Sequence, residues 1–301
     1  MTFSIVARDE KSGQLGVAVQ THWFAVGAIC PWVEAGIGAV ATQSMVEIGY
    51  GPKSLDLLRA GKTAQEALEA LIGEDKNQAL RQVAVVDALG RIAIHTGDRC
   101  IQAAGHRAGK GFSVQANMMK NNSVWPAMEK AYLEAKGDLS SRMLAALFAA
   151  QAAGGDIRGR QSAAMLVAEG EKSDEPWRQV LVNLRIDDHP EPLKELGRLL
   201  KINKAFDLMN EGDALLAKDL SEAAKEKYSL AVAMAPEMEE LPFWQAVTLA
   251  DTGKLEEALP IFKMVFQKNK DWAELVRRLP SSGLLKKDAV MMKRILAVLG
   301  K

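Results

Sequence analysis

Helical periodicity comes in pairs between Thr2 and Ile186, and groups of short β-rich runs separate the pairs. This order is the strongest constraint on the fold. A βαβ parallel sheet needs one helix per crossover, so paired helices between strand groups predict sheets packed together with helices outside. Thr2–Ala7 and Leu15–Thr21 flank a polar turn cluster ending in Ser12-Gly13 and read as a hairpin. Ile37–Gln43 is rich in small residues, as suits a strand buried on both faces. Pro52–Gly73 reads as two helices broken at Gly61-Lys62, with Thr63 and Glu66 spaced for a capping box. Val83–Asp87, Ile92–Thr96 and Phe112–Asn117 read as strands. Val124–Lys136 and Leu139–Ala153 read as helices, the second stopped by Gly154-Gly155. Gln161–Ala168 and Gln179–Ile186 are strand-like again.

The last third has a different pattern. Beyond Pro190-Glu191-Pro192 no β-rich run appears, and the spacing is helical throughout. Ala224, Tyr228 and Ala231 recur at one constant offset as Ala258, Phe262 and Val265, and Asp219 falls where Gly253 does. That offset, a period of about 34 with small residues at helix contacts, resembles the tetratricopeptide repeat. A generic stack of helical hairpins would look alike over two units. The expected division is an α+β domain over residues 1–186 and an all-α helical-repeat domain over 187–301, with hairpins near 205–235 and 238–268.

Composition narrows the function classes. Lys+Arg and Asp+Glu are both 38, so no overall basic surplus is available to neutralise phosphates, and nucleic acid is not an expected partner. Cys30 and Cys100 are isolated, which excludes a disulfide framework or a zinc finger and suits two buried thiols in a reducing compartment. The N-terminal run lacks the basic leader of a signal peptide, and no stretch has the roughly 18 apolar residues of a membrane span. The expected location is cytoplasmic, with no membrane partner.

Many catalytic signatures are missing. There is no GxxxxGK[ST], no HExxH and no GxSxG. The four histidines are scattered, so no metal is expected, and no cofactor. The glycine-rich stretch Gly105–Gly111 lacks the strand–GxGxxG–helix setting and reads as an ordinary loop. Thr2 stands out instead. Removal of Met1 would expose a threonine with a free α-amine at the start of a strand. The hydroxyl can attack an acyl carbon while the amine, with a pKa near ~8, takes its proton. Threonine also simply favours strands, so Thr2 alone does not carry this reading.

A set of short blocks adds to it. They are Thr2–Asp9, Leu15–Gly27, Gly38–Gln43, Arg81–Val83, Val86-Asp87, Thr96-Gly97, Gly105-His106, Asn117-Met118 and Gly154–Ala164. In this order they resemble the family known as domain of unknown function 1028, grouped with the N-terminal nucleophile hydrolases. The resemblance implies a four-layer αββα sandwich with the nucleophile opening the first strand, the position of Thr2. Ala116 departs from the pattern, where glycine is usual before Asn117.

Within these blocks several side chains are candidates. Thr2, Asn117 and Asp156 form the candidate catalytic set; Thr42, Gln43, His22, His106 and Arg158 form the candidate substrate-binding set. Asn117 could donate to an oxyanion or satisfy a buried turn. Asp156 and Arg158 could present a guanidinium fork to an anionic group, or only pair to shape their glycine-rich loop. Thr42 and Gln43 end a strand, where residues line pockets or cap turns. His22 and His106 could orient groups or move protons, or serve as hydrogen-bonded structural histidines. Two functions follow. One is an amide-bond hydrolase using Thr2 on a small-molecule or peptide amide. The alternative is a non-catalytic binding or assembly protein whose helical tail takes a protein partner. Self-association to a homo-oligomer is left open. Thr2, Asn117, Asp156 and Arg158 are expected to meet at one cleft.

Overall fold

The computed structural model describes residues 2–300. The chain divides into two compact units, Met1–Leu199 and Leu200–Lys301. Met1, on which exposure of the Thr2 amine depends, lies outside the described residues.

In the first unit the strands are β1 (Thr2–Arg8), β2 (Leu15–Thr21), β3 (Pro31–Glu34), β4 (Gly38–Ser44), β5 (Arg81–Asp87), β6 (Ile92–Thr96), β7 (Gly105–Gly109), β8 (Phe112–Asn117), β9 (Ser162–Ala168) and β10 (Val180–Ile186). They form a six-stranded sheet ordered β10-β9-β2-β1-β8-β7 and a four-stranded sheet ordered β3-β4-β5-β6. All the strand pairs are antiparallel. The two sheets pack face to face through β1, β2, β8 and β9 on one side and β3, β4 and β5 on the other. The helix pair α1 (Tyr50–Arg59) and α2 (Ala64–Glu74) covers the outer face of the four-stranded sheet. The pair α3 (Val124–Glu134) and α4 (Leu139–Ala152) covers the outer face of the six-stranded sheet.

Burial on both faces explains the apolar, small-residue strands. Val6, Val17, Val19, Ala39, Ala41, Ala84 and Val86 fill the space between the sheets. Val40, Val83 and Val85 point the other way, against Leu55, Leu58 and Leu68 of the first helix pair. At Gly16 a Cβ would meet the Met143 side chain at 2.6 Å, so glycine lets α4 lie close on β2. The break at Gly61 and the capping box are present: Thr63 Oγ1 accepts from the Glu66 amide, and the Glu66 carboxylate accepts from the Thr63 amide.

Two local expectations need correction. Gly105–Gly111 is not an ordinary loop, because Gly105–Gly109 is the edge strand β7 paired with β8. Its glycines and charges hide the strand, while Gly105 leaves room that a Cβ would take from the Trp125 indole at 2.5 Å. The short strand β3 is absent from the sequence reading, since its four residues are too few to carry a recognisable period.

The second unit is helical, with α5 (Pro192–Leu216) crossing the boundary, then α6 (Ser221–Met234), α7 (Glu240–Asp251), α8 (Leu255–Lys268), α9 (Asp271–Arg278) and α10 (Ala289–Leu296). Its core gathers Ala224, Tyr228, Ala231, Ala258, Phe262 and Val265, all fully buried. These are the three recurring pairs of the sequence. Asp219 and Gly253 both hold positive φ, 59° and 88°, at the turns before α6 and α8.

Candidate functional site

Thr2 opens β1, a central strand of the larger sheet. Its register neighbours are Thr21 on β2 and Asn117 on β8. The period of two puts Thr2, Ser4 and Val6 on the face toward the other sheet. The Thr2 side chain is nearly buried, and its hydroxyl lies 3.1 Å from the Thr21 hydroxyl. Together with Thr42, Gln43 and Arg158, these two threonines line a pocket of about 190 Å³. The rest of the lining is Trp23, Val26, Ile29, Cys30, Ser44, Met45 and Val46.

Behind Thr2 the space between the sheets turns polar. Gln43 Nε2 donates to the Thr2 carbonyl at 3.3 Å and to Gln82 Oε1 at 2.7 Å. Gln82 Oε1 also accepts from Asn117 Nδ2 at 2.8 Å. Ser4 donates to Gln43 Oε1 and accepts from Gln115 Nε2, both at 2.6 Å. Buried amides of this kind are tolerated only when hydrogen-bonded, and a satisfied network holds its members in one geometry. Asn117 is thereby held beside Thr2. The carbonyl of Ala116, the departure from the family pattern, accepts from Gln82 Nε2 at 3.0 Å and belongs to the same network.

Asp156 and Arg158 sit on a loop stitched to the segment after β8. Lys120 N donates to the Gly155 carbonyl, and Ile157 N donates to the Met118 carbonyl. Gly154 holds φ of +125°, which a side chain rarely adopts, so glycine frees the loop to leave α4 here. The buried Asp156 carboxylate accepts from the His22 amide at 3.1 Å and from Arg158 N, Nε and Nη2 at 2.9, 3.0 and 2.8 Å. Burial pushes this carboxyl up, but the Arg158 hydrogen bonds outweigh it and hold it below the usual aspartate value. Asp156 itself does not line the pocket; it orients Arg158, which does.

His22 borders this loop, with Nδ1 3.3 Å from the Arg160 carbonyl. His106 lies apart from the pocket on exposed β7, its Nδ1 2.9 Å from Thr96 Oγ1. Hydrogen bonds run from Thr96 through Gln82 and Gln43 to the Thr2 carbonyl. Cys30 is a pocket wall whose full burial pushes its thiol up to about 12, so it stays protonated. Thr21 and Gln82 are not among the sequence candidates. Thr21 carries a signal, as the register partner implied once Thr2 opens a hairpin. Gln82 lies in the block Arg81–Val83, but one glutamine in an apolar strand does not reveal where its amide points.

Three non-glycine residues hold left-handed φ around this end of the sandwich: Ala25 at 52°, Ser44 at 73° and Met118 at 57°. Ser44 and Met118 stand at or just past the ends of β4 and β8. Such conformations cost of order 1 kcal/mol each and gather where a site over-determines the backbone. Among the described residues, no group of three or more His, Cys, Asp or Glu side chains could hold a metal ion, and no helix is long and apolar enough to cross a membrane.

The chain is similar in structure to the crystal structure of protein SPO2555 from Silicibacter pomeroyi, a DUF1028 protein. The match has 33% sequence identity and a TM-score of 0.60, covering 66% of this chain and 84% of that one. No curated protein matches the chain. A family model described as a family of unknown function, DUF1028, matches residues 2–196. With most of the chain inside that match, the protein belongs to the DUF1028 family.

Proposed function

We propose that the protein is an amide-bond hydrolase of the N-terminal nucleophile type, with Thr2 as nucleophile once Met1 is removed. One observation carries this reading: Thr2 opens a central strand with its hydroxyl at the wall of a pocket between two stacked sheets. The order helix pair, sheet, sheet, helix pair supports the assignment to the αββα superfamily. Thr2 Oγ1 attacks the acyl carbon and the α-amine takes the hydroxyl proton. Collapse of the tetrahedral intermediate breaks the C–N bond, and the leaving amine takes that proton. Water then hydrolyses the Thr2 ester, releasing the acid. Asn117, the register partner of Thr2 on β8, donates to the oxyanion in this reading, although it is not among the residues lining the pocket. No cofactor enters these steps. The free buried cysteines suit a reducing, cytoplasmic setting.

An electrophilic acylating probe tests the mechanism on protein whose N-terminus is verified by intact mass. Labelling is expected on Thr2 and is expected to vanish in Thr2→Ala and in a form extended before Thr2. Unchanged labelling in either form overturns the mechanism.

We read the second unit as two tetratricopeptide-like hairpins that take a protein partner. The full burial of the three recurring pairs supports the repeat. Removing this unit is expected to leave Thr2 labelling unchanged.

A further inference from the structure

We propose that the pocket beside Thr2 receives an unbranched apolar acyl group of about six carbons, so that the substrates are amides of medium-chain acids. This rests on the reading of Thr2 as nucleophile. Six of the lining residues, Trp23, Val26, Ile29, Cys30, Met45 and Val46, present apolar or thiol surface. The Cys30 thiol is neutral and offers no charge to a ligand.

Five of the six polar lining residues, all but Ser44, make few demands on a ligand, because they hydrogen-bond inside the protein. The Thr2 and Thr21 hydroxyls meet each other. Thr42 Oγ1 donates to the Glu47 carbonyl at 3.0 Å. The Gln43 amide is engaged with Ser4, Gln82 and the Thr2 carbonyl. Arg158 is the one charged residue of the lining, and Asp156 beneath it balances its charge. A polar acyl group would lose its water here for little return, whereas an alkyl chain loses nothing it needs.

Size and exposure agree with the chemistry. An apolar cavity of about 150 Å³ holds benzene, so the 190 Å³ here suits a chain of about six carbons. Trp23 and Met45 line the pocket and yet are 58% and 49% exposed. Phe24, next to Trp23, and Ile157, next to Arg158, are exposed too. A bound alkyl chain would cover part of this surface, adding about fourfold in affinity for each methylene buried.

Calorimetric titration of the full chain with acetamide, butyramide, hexanamide and succinamide tests this. Affinity is expected to rise about fourfold per methylene to hexanamide, with succinamide at least tenfold weaker than hexanamide. Ile29→Trp, which fills the pocket, should flatten the series, and Met45→Glu should weaken hexanamide at least tenfold. Circular dichroism and thermal unfolding of both variants establish that they fold; a flattened series in a folded Ile29→Trp supports the assignment. The titration reads binding, so the readout does not need the nucleophile. If hexanamide binds in this graded way but no acyl amide is cleaved, the pocket assignment stands and the Thr2 reading falls. If Thr2 is acylated while the four amides bind within twofold of one another, or the folded Ile29→Trp keeps the wild-type slope, the pocket assignment falls and the Thr2 reading stands.

Discussion

At Thr2, the side chain that carries the proposed chemistry contributes little to folding. Thr2→Ala should abolish turnover, yet chemical denaturation should show a loss of about 1 kcal/mol or less. Thr2→Ser should keep part of the activity, since hydroxyl and amine both remain. The rate should rise with pH toward about 8, as the α-amine becomes able to accept a proton. Asp156 should behave in the opposite way. Its buried carboxylate is held by Arg158 and the His22 amide, so Asp156→Ala should cost about 3 kcal/mol in the same measurement. Its folded pKa lies below the ordinary 3.8, so it adds stability above that pH. That stability is lost as pH falls through the folded value, and Asp156→Asn should remove this part of the acid sensitivity. Thr2, Thr42, Gln43 and Arg158 were legible because each stands at a strand end or in a glycine-rich loop. His106 shows the limit of that reasoning: its glycine neighbours suggest a loop near the site, and pairing to β8 fixes it on an exposed edge instead.

Among the elements, β8 shows most clearly what a pattern can and cannot reveal. Phe112-Ser113-Val114-Gln115-Ala116-Asn117 alternates apolar and polar, as a strand with one wet face does. All six residues are buried, and the polar face meets the other sheet. The alternation identifies the strand correctly and misplaces its polar side, because the partners Gln43 and Gln82 lie on distant strands. The helix pairs were easier, since α2 is defined by its own capping box. Thr63→Ala should therefore cost about 1 kcal/mol, read by thermal unfolding. Gln82→Leu should cost about 2–4 kcal/mol, since it leaves the Asn117 and Gln43 amides without their shared acceptor. A double-mutant cycle between Gln43 and Gln82 should give a coupling of about 0.5 kcal/mol or more, against near zero for residues that do not share partners.

For the whole molecule, the two compact units set the scale of cooperativity. Each has its own core, that of the second built from α5 to α10. A fragment of residues 1–199 should unfold in one transition with wild-type Thr2 labelling, and a broad or absent transition would contradict this. The helical character of the last third was legible from its missing β-runs. The boundary was not, because α5 runs through it as one continuous helix. The buried thiol between the sheets turns this architecture into a clock. Cys30 is protonated and buried at the wall of the pocket, so a disulfide reagent too bulky for that pocket meets it only when the sandwich opens. Its rate of modification at low denaturant, followed by peptide mass, should count openings of the sandwich one molecule at a time. A ligand seated against that thiol should slow the count in proportion to its occupancy, with no catalysis required.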